Sequence, residues 1–279
     1  MSLHNKGQTI VSYGKSSPFK NQSPIRAYRE VIPAANTERN PMKLHYDIFY
    51  GTFLRRPNRF IAYVDLSGTE VICHVPNTGR LKELLVPGAQ VMLSHHGSEL
   101  RKTQYELRMV KKEGSWVSID SQLPNLLAQE AIVNQVVEEL TGYSELQREV
   151  VYQNSRFDLR LARPEKDSAV ETKAPICYVE VKGVTLERDG WSYFPDAPTE
   201  RGRKHIDELI HAVQNGNRAA LLFVIQTEKA QGFSPNGITD PAFAGKVKAA
   251  YEAGVEILAY RCQVSPQEVT LLHKLPVIL

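Results

Sequence analysis

Apolar and polar positions recur along this chain with two different periods, and the change falls close to residue 122. Before it, alternation with a period of two marks strands that bury one face. Six stretches carry that pattern: Asp47 to Leu54, Arg59 to Leu66, Thr69 to Val75, Gln90 to His95, Tyr105 to Val110 and Trp116 to Ile119. Ser67-Gly68 suits a hairpin connection, and Pro76-Asn77-Thr78-Gly79 and Pro87-Gly88 punctuate longer turns. A five-stranded barrel of the oligonucleotide-binding (OB) type fits this count and spacing, and a small SH3-like barrel fits almost as well.

After Pro124-Asn125 the apolar positions Leu126, Val133, Val136, Val137 and Leu140 follow a helical period, which Gly142 can end. Strand character returns at Val150 to Gln153, Arg156 to Ala162 and Ile176 to Val184. A helix from Glu200 to Gln214 then leads into the apolar strand Ala219 to Gln226. A helix from Pro241 to Ala253 and strands Val255 to Val264 and Thr270 to His273 finish the pattern. Helices interleaved with strands predict a mixed α/β domain over residues 122–279, behind a barrel domain over 44–121. Residues 1–43 show neither period and few large apolar side chains, so they are expected to form a disordered basic extension.

Composition narrows the class. The chain is 42% hydrophobic and 23% charged, close to the average for globular proteins. Its longest apolar run, Ala219 to Ile225, is far shorter than the ~20 residues of a membrane helix. No membrane partner is expected. Cys73, Cys177 and Cys262 are widely spaced without a Cys-x-x-Cys pair, which reads as buried thiols in a reducing cytoplasm. The net charge of +3 hides an asymmetry: seven basic residues face two acidic ones in the first 43, a net +5, leaving the body at −2. A polyanion would therefore need a local basic stripe on the body.

Strand alternation places Glu180 and Lys182 on one face of their strand, and Asp158 on the preceding strand can come beside Glu180 through antiparallel pairing. Neighbouring carboxylates repel, and a divalent cation with oxygen ligands relieves the repulsion; Mg²⁺ fits best and Mn²⁺ is an alternative. Lys182 can then orient water for attack on a phosphodiester. The bland alternative is a surface Glu-x-Lys ion pair. Against it, Cys177, Val179, Val181 and Val184 describe an internal strand, where an unpaired charge is costly.

The helix, the Asp158 strand, the Glu180-Val181-Lys182 tripeptide and the following helix-strand unit resemble the PD-(D/E)xK nuclease superfamily. Phe60-Ile61-Ala62, His74-Val75-Pro76-Asn77-Thr78-Gly79, Tyr178-Val179-Glu180-Val181-Lys182, Tyr193-Phe194-Pro195-Asp196-Ala197 and Thr199-Glu200-Arg201-Gly202 together resemble the sugar fermentation stimulation protein A family. The resemblance implies an OB-like β-barrel followed by an α/β PD-(D/E)xK nuclease-like domain, an α+β or mixed fold. It also implies DNA binding with a regulatory role in sugar metabolism. The superfamily pattern assigns metal ligands to Asp158 and Glu180 and the catalytic lysine to Lys182. Phe157 replaces the proline of the motif's name, and Pro195-Asp196 falls too late in the chain to serve. The superfamily often adds an acidic residue from its first helix. Glu130 is the candidate, roughly 20° around that helix from Val137; a solvated boundary carboxylate is the alternative.

Candidates for nucleic-acid contacts are Arg55, Arg56 and Arg59 around Pro57, Arg101 and Lys102 with Tyr105, and Arg201 and Lys204 at the start of the second helix. Basic side chains among aromatics suit backbone contacts and base stacking, and a helix start favours an anion. Solvated surface charge is the alternative for each. The expected function is binding of nucleic acid, most simply DNA, with Mg²⁺-dependent hydrolysis as the enzymatic possibility and a non-cutting regulator of sugar-metabolism genes as the alternative.

Overall fold

In a computed structural model of the 279-residue chain, the described residues are 29–31, 42–43, 47–97, 102–163 and 176–279. Two large sheets organise them. The first runs β3 (Asp47–Asn58), β4 (Ile61–Leu66), β5 (Thr69–His74), β6 (Gln90–His95), β7 (Tyr105–Lys112) and β8 (Ser115–Ser118), in the order β5-β4-β3-β6-β7-β8. A parallel pairing of β5 with β7, Cys73 opposite Tyr105 and His74 opposite Glu106, closes it into a barrel. That closure settles the barrel as OB-like, with Phe53, Leu93, Leu107 and Val110 inside.

The second sheet has the order β1-β9-β10-β11-β14-β16-β17-β2. Its strands are β1 (Arg29–Val31), β2 (Met42–Lys43), β9 (Glu145–Tyr152), β10 (Ser155–Ala162), β11 (Cys177–Val184), β14 (Arg218–Ile225), β16 (Glu256–Val264) and β17 (Glu268–Lys274). The middle strands β11, β14 and β16 are parallel and the flanks antiparallel. After Arg218, β14 is apolar from Ala219 to Ile225 because both its faces are covered. Ala220, Leu222 and Val224 pack toward α1 (Leu123–Val133), while Leu221, Phe223 and Ile225 pack toward α2 (Glu200–Gln214) and α3 (Pro241–Glu252).

Outward-facing Met92 and Met109 of the barrel join the α1 side of this core, so the two domains share packing. Polar contacts reinforce the junction. Gln226 Nε2 donates to Ser118 Oγ and the Asp120 carbonyl, and the Arg80 amide donates to Asp196 at 2.7 Å. Asp196, of the literal Pro-Asp pair, therefore joins the domains. All three cysteines are buried and free.

One expectation is corrected, and two features lie beyond the periods of the sequence. The first helix stops at Val133, because the chain turns at Asn134 and Gln135 (φ 57°); Val136, Val137 and Leu140 keep apolar spacing without extending it. A small sheet of β12 (Glu187–Arg188), β13 (Trp191–Phe194) and β15 (Gly232–Pro235) forms from segments too short to show a period. Of the extension over residues 1–43, only Arg29–Val31 and Met42–Lys43 are described. They are strands, pairing with β9 and β17 at the two sheet edges. An edge offers unpaired backbone groups to any extended segment, so an apolar period is not required.

Candidate metal and phosphodiester site

The last paired residues of β10 and β11 are Leu159 and Val179, and one step further the strands part. There the Val181 amide donates to Asp158 Oδ2 at 2.7 Å, so a carboxylate takes a bond that a backbone carbonyl would take in a continuous ladder. Asn125, in the first turn of α1, donates to Asp158 Oδ1 at 2.7 Å. α1 can come this close because β11 carries glycine at Gly183. A Cβ there would lie 2.7 Å from Pro124 and 2.8 Å from Gln226.

Glu180, 2% exposed, points to the α2 side. Its Oε1 accepts from Lys182 Nζ at 2.5 Å and from Nδ1 of His205, which descends from the second turn of α2. Its Oε2 is buried and has no hydrogen-bond partner among the described residues. Burial alone would push this carboxyl up, but the His205 bond and the Lys182 charge outweigh it and hold the group below the usual carboxylate range. Asp158 goes the other way. Burial and then the Glu180 charge push it up to about 6, against the Val181 amide, Lys182 and Asn125.

Glu180 and Lys182 share a face and an ion pair with His205 on the same carboxylate, while Asp158, held by Asn125 and the Val181 amide where the strands part, lies near enough for the Glu180 charge to oppose its ionisation. No group of three or more His, Cys, Asp or Glu side chains among the described residues has a metal-binding arrangement. The pair nevertheless suits a hard cation: one buried carboxylate oxygen lacks a donor, and a second carboxylate is held protonated more firmly by its neighbour's charge. Glu130 does not join them. It lines a small pocket with Asn134, Val136 and Thr270–Leu272, facing β17. Five residues separate it from Asn125, roughly 140° around a helix, so the two cannot share a face.

The basic candidates divide. Arg55 makes two bonds to the Glu70 carboxylate, at 2.6 and 2.7 Å, and lies over the Tyr63 ring. Arg56 donates to the carbonyls of Asn77, Gly79, Arg80 and Arg59, and burial, then the Arg59 charge, lowers its pKa. Arg56 is a fastener rather than a ligand-facing group. Tyr105 packs edge-on to Phe49 and beside His95. Arg101 lies outside the described residues, while Arg59 and Lys102 are exposed. On α2, Arg201 and Lys204 are exposed; Arg201 Nε donates to His205 Nε2 at 3.4 Å and Lys204 Nζ to the Asn154 carbonyl at 3.2 Å. Sequence reasoning missed His205. Its only signal was its place at i+4 from Arg201, one turn along the same helix face.

An OB barrel joined to a mixed α/β domain, with an aspartate at a strand fork and a Glu-x-Lys on the next strand, defines the class. The first part matches the family described as SfsA N-terminal OB domain over residues 54–119, and the second the sugar fermentation stimulation protein RE domain over 122–268. The chain belongs to the sugar fermentation stimulation protein (SfsA) family. It is 46% identical over 232 residues to a sugar fermentation stimulation protein homolog of Caldanaerobacter subterraneus, covering 83% of this chain and 97% of that protein. A homolog from Clostridium perfringens is 43% identical over 238 residues, covering 85% and 100%. Among solved structures, Pyrococcus furiosus SfsA in complex with Ca²⁺ superposes with a TM-score of 0.74 at 30% identity, covering 85% of this chain and all of that one. No helix among the described residues is long and apolar enough to cross a membrane.

Proposed function

We propose that the protein binds nucleic acid, DNA in the first instance, and hydrolyses phosphodiesters at the Asp158–Glu180–Lys182 centre with Mg²⁺ or Mn²⁺. The observation that carries the reading is the Glu180 Oε2 atom, buried without a donor beside a second carboxylate whose ionisation that charge opposes. A cation held by Asp158 and Glu180 would relieve both conditions. Such an ion, when bound, lowers the pKa of water and neutralises charge on a phosphoryl group. The chain's own side chains supply the rest. His205 and Lys182 fix one oxygen of Glu180 and so direct the other. Asn125 and the Val181 amide fix Asp158. Lys182 Nζ, half-buried beside Glu180, provides a positive donor for a phosphate oxygen or the attacking water. That an archaeal relative was solved with Ca²⁺, also a hard cation, supports a divalent site in this chain. The protein would act in the cytoplasm, where its three free cysteines stay reduced.

Incubation of single- and double-stranded DNA with the protein and Mg²⁺ or Mn²⁺ tests this. The wild type should cleave, and Asp158→Asn and Lys182→Ala should each lose at least ~100-fold in rate. A wild type with no metal-dependent cleavage would sink the hydrolytic reading. One observation favours a second reading: the Lys182 charge already matches that of Glu180 and the His205 N–H bonds the same oxygen, so the network is satisfied apart from the other oxygen. In that case the protein is a non-cutting DNA-binding regulator of sugar-metabolism genes, and all three proteins bind DNA alike.

A further inference from the structure

The tip of the β9–β10 hairpin and the first two turns of α2 face each other across an open groove of about 520 Å³. Gln153, Asn154 and Arg156 line one wall, Arg201 and Lys204 the other, and His205 forms part of the lining. Two features give it a chemical preference. First, Arg201 and Lys204 have only neutral partners, an imidazole nitrogen and a carbonyl, and no carboxylate among the described residues pairs with either. Arg156, opposite, is paired through Nε with Glu149 at 2.8 Å and leaves the rest of its guanidinium uncommitted to that bond. The groove therefore carries excess positive charge on its α2 wall, with the Glu149-paired guanidinium of Arg156 opposite. Second, it leads inward to the centre already described. His205 bonds Glu180 through Nδ1 while its Nε2 accepts from Arg201, so one side chain belongs to both groove and carboxylate site.

We infer that this groove, rather than the barrel's basic clusters, holds the phosphate backbone of one nucleic-acid strand and leads it to Glu180. The inference rests on the phosphodiester reading of that site. Arg201 and Lys204 lie three residues apart and so project from one helix face. With Arg156 across the groove, they form a row of cations of the kind that tracks successive phosphates. The space exceeds what a lone phosphate fills and falls in the roughly 300–1,000 Å³ range of ligand sites, enough for nucleotide-sized groups.

The test is fluorescence anisotropy with a labelled single-stranded oligodeoxynucleotide and the full chain in EDTA, so that cleavage does not intrude. Arg201→Gln/Lys204→Gln, which keeps helix-forming side chains on an exposed face, should weaken binding at least ~10-fold at low salt. It should also flatten the salt dependence by about 1.4, two phosphates on a single strand at ~0.7 each. Lys102→Ala in the barrel should change affinity less than twofold. A folded double variant that binds as tightly as wild type, with an unchanged slope, overturns the groove; the carboxylate centre then still stands on its own cleavage assay. Wild-type protein that binds no oligonucleotide at any salt overturns the groove and the nucleic-acid reading together. Asp158→Asn that binds like wild type while the groove variant does not supports the assignment, because it separates holding the strand from chemistry on it.

Discussion

The barrel and the β10–β11–α2 region both carry conspicuous charge, yet they treat it in opposite ways. In the barrel four cations are held by the fold. Arg55 grips Glu70, Arg108 binds Asp120 and lies 3.3 Å from Glu106, Lys112 binds Glu187, and Arg56 is wrapped by four carbonyls. At the candidate site of the second domain charge is left unbalanced: Arg201 and Lys204 face no carboxylate among the described residues, Glu180 keeps a buried oxygen without a donor, and Asp158 resists ionisation. Matched charge holds a fold in place. Charge that the fold leaves unmatched costs stability unless a ligand completes it, and the second domain carries such charge at the proposed site.

The strongest way to break this contrast is to remove a matched charge and see only a binding defect. Arg56→Ala should strip of their donor the Arg59 carbonyl and three carbonyls in the turn that carries Asn77 to Arg80, the segment that meets Asp196. Hydrogen bonds to a charged, half-buried group are worth ~1.5–3 kcal/mol each before solvent replaces some of them, so a loss of about 3 kcal/mol is expected. Urea unfolding measures it. An Arg56→Ala protein of wild-type stability and weakened oligonucleotide binding would return Arg56 to the ligand-facing set.

The second test adds stability by removing an unmatched charge. The folded pKa of Asp158, about 6, lies above the ~3.9 of an unfolded aspartate, so the folded state holds its proton more tightly. Its contribution is fully favourable below pH ~4, declines as pH rises between ~4 and ~6, and is lost above, where the ionised carboxylate is a burden. Asp158→Asn mimics the protonated form, and Asn125 can turn its amide to accept from the new donor. In EDTA the variant should therefore gain on wild type as pH rises from 5 to 8, by about 1.4 kcal/mol over that range. A difference that stays constant across that range would mean that Asp158 ionises freely. Saturating Mg²⁺ should stabilise the wild type and not the variant, since only a ligand of the native state shifts the balance.

How far this contrast could be read in advance depends on the distance over which each interaction acts. Alternation over a few residues revealed the barrel strands and the shared face of Glu180 and Lys182, because side-chain direction in a strand is local. The fork at Asp158 required only one further strand. The pairing of Arg55 with Glu70 depends on β4–β5 geometry, and the bond from His205 to Glu180 depends on where α2 lands, so neither is written in a local period. Glu130 shows the reverse error. Its helical position was read relative to Val137, which lies beyond the real helix end at Val133, and the reference face was lost with it. A cluster of arginines in sequence says that charge is present but not whether the fold has already matched it.

The smallest expected effect probes that last point directly. Arg55 and Glu70 are both exposed, and their bidentate pair is open to solvent and salt, so little holds it together beyond its geometry and the Tyr63 ring beneath the guanidinium. If pairing has removed Arg55 from polyanion binding, Arg55→Ala should leave oligonucleotide affinity within twofold of wild type. Glu70→Ala, which frees the same guanidinium and adds one positive charge, should tighten binding by roughly twofold to threefold at low salt and lose that gain as screening increases. The two variants pull apart only if the pair is intact in solution. If Arg55→Ala instead weakens binding as strongly as loss of Arg201 and Lys204, then an exposed arginine can exchange its carboxylate for a phosphate. Matched charge in the barrel would then be a reserve for nucleic acid, and the division between the two regions would hold for Arg56 but not for its neighbour.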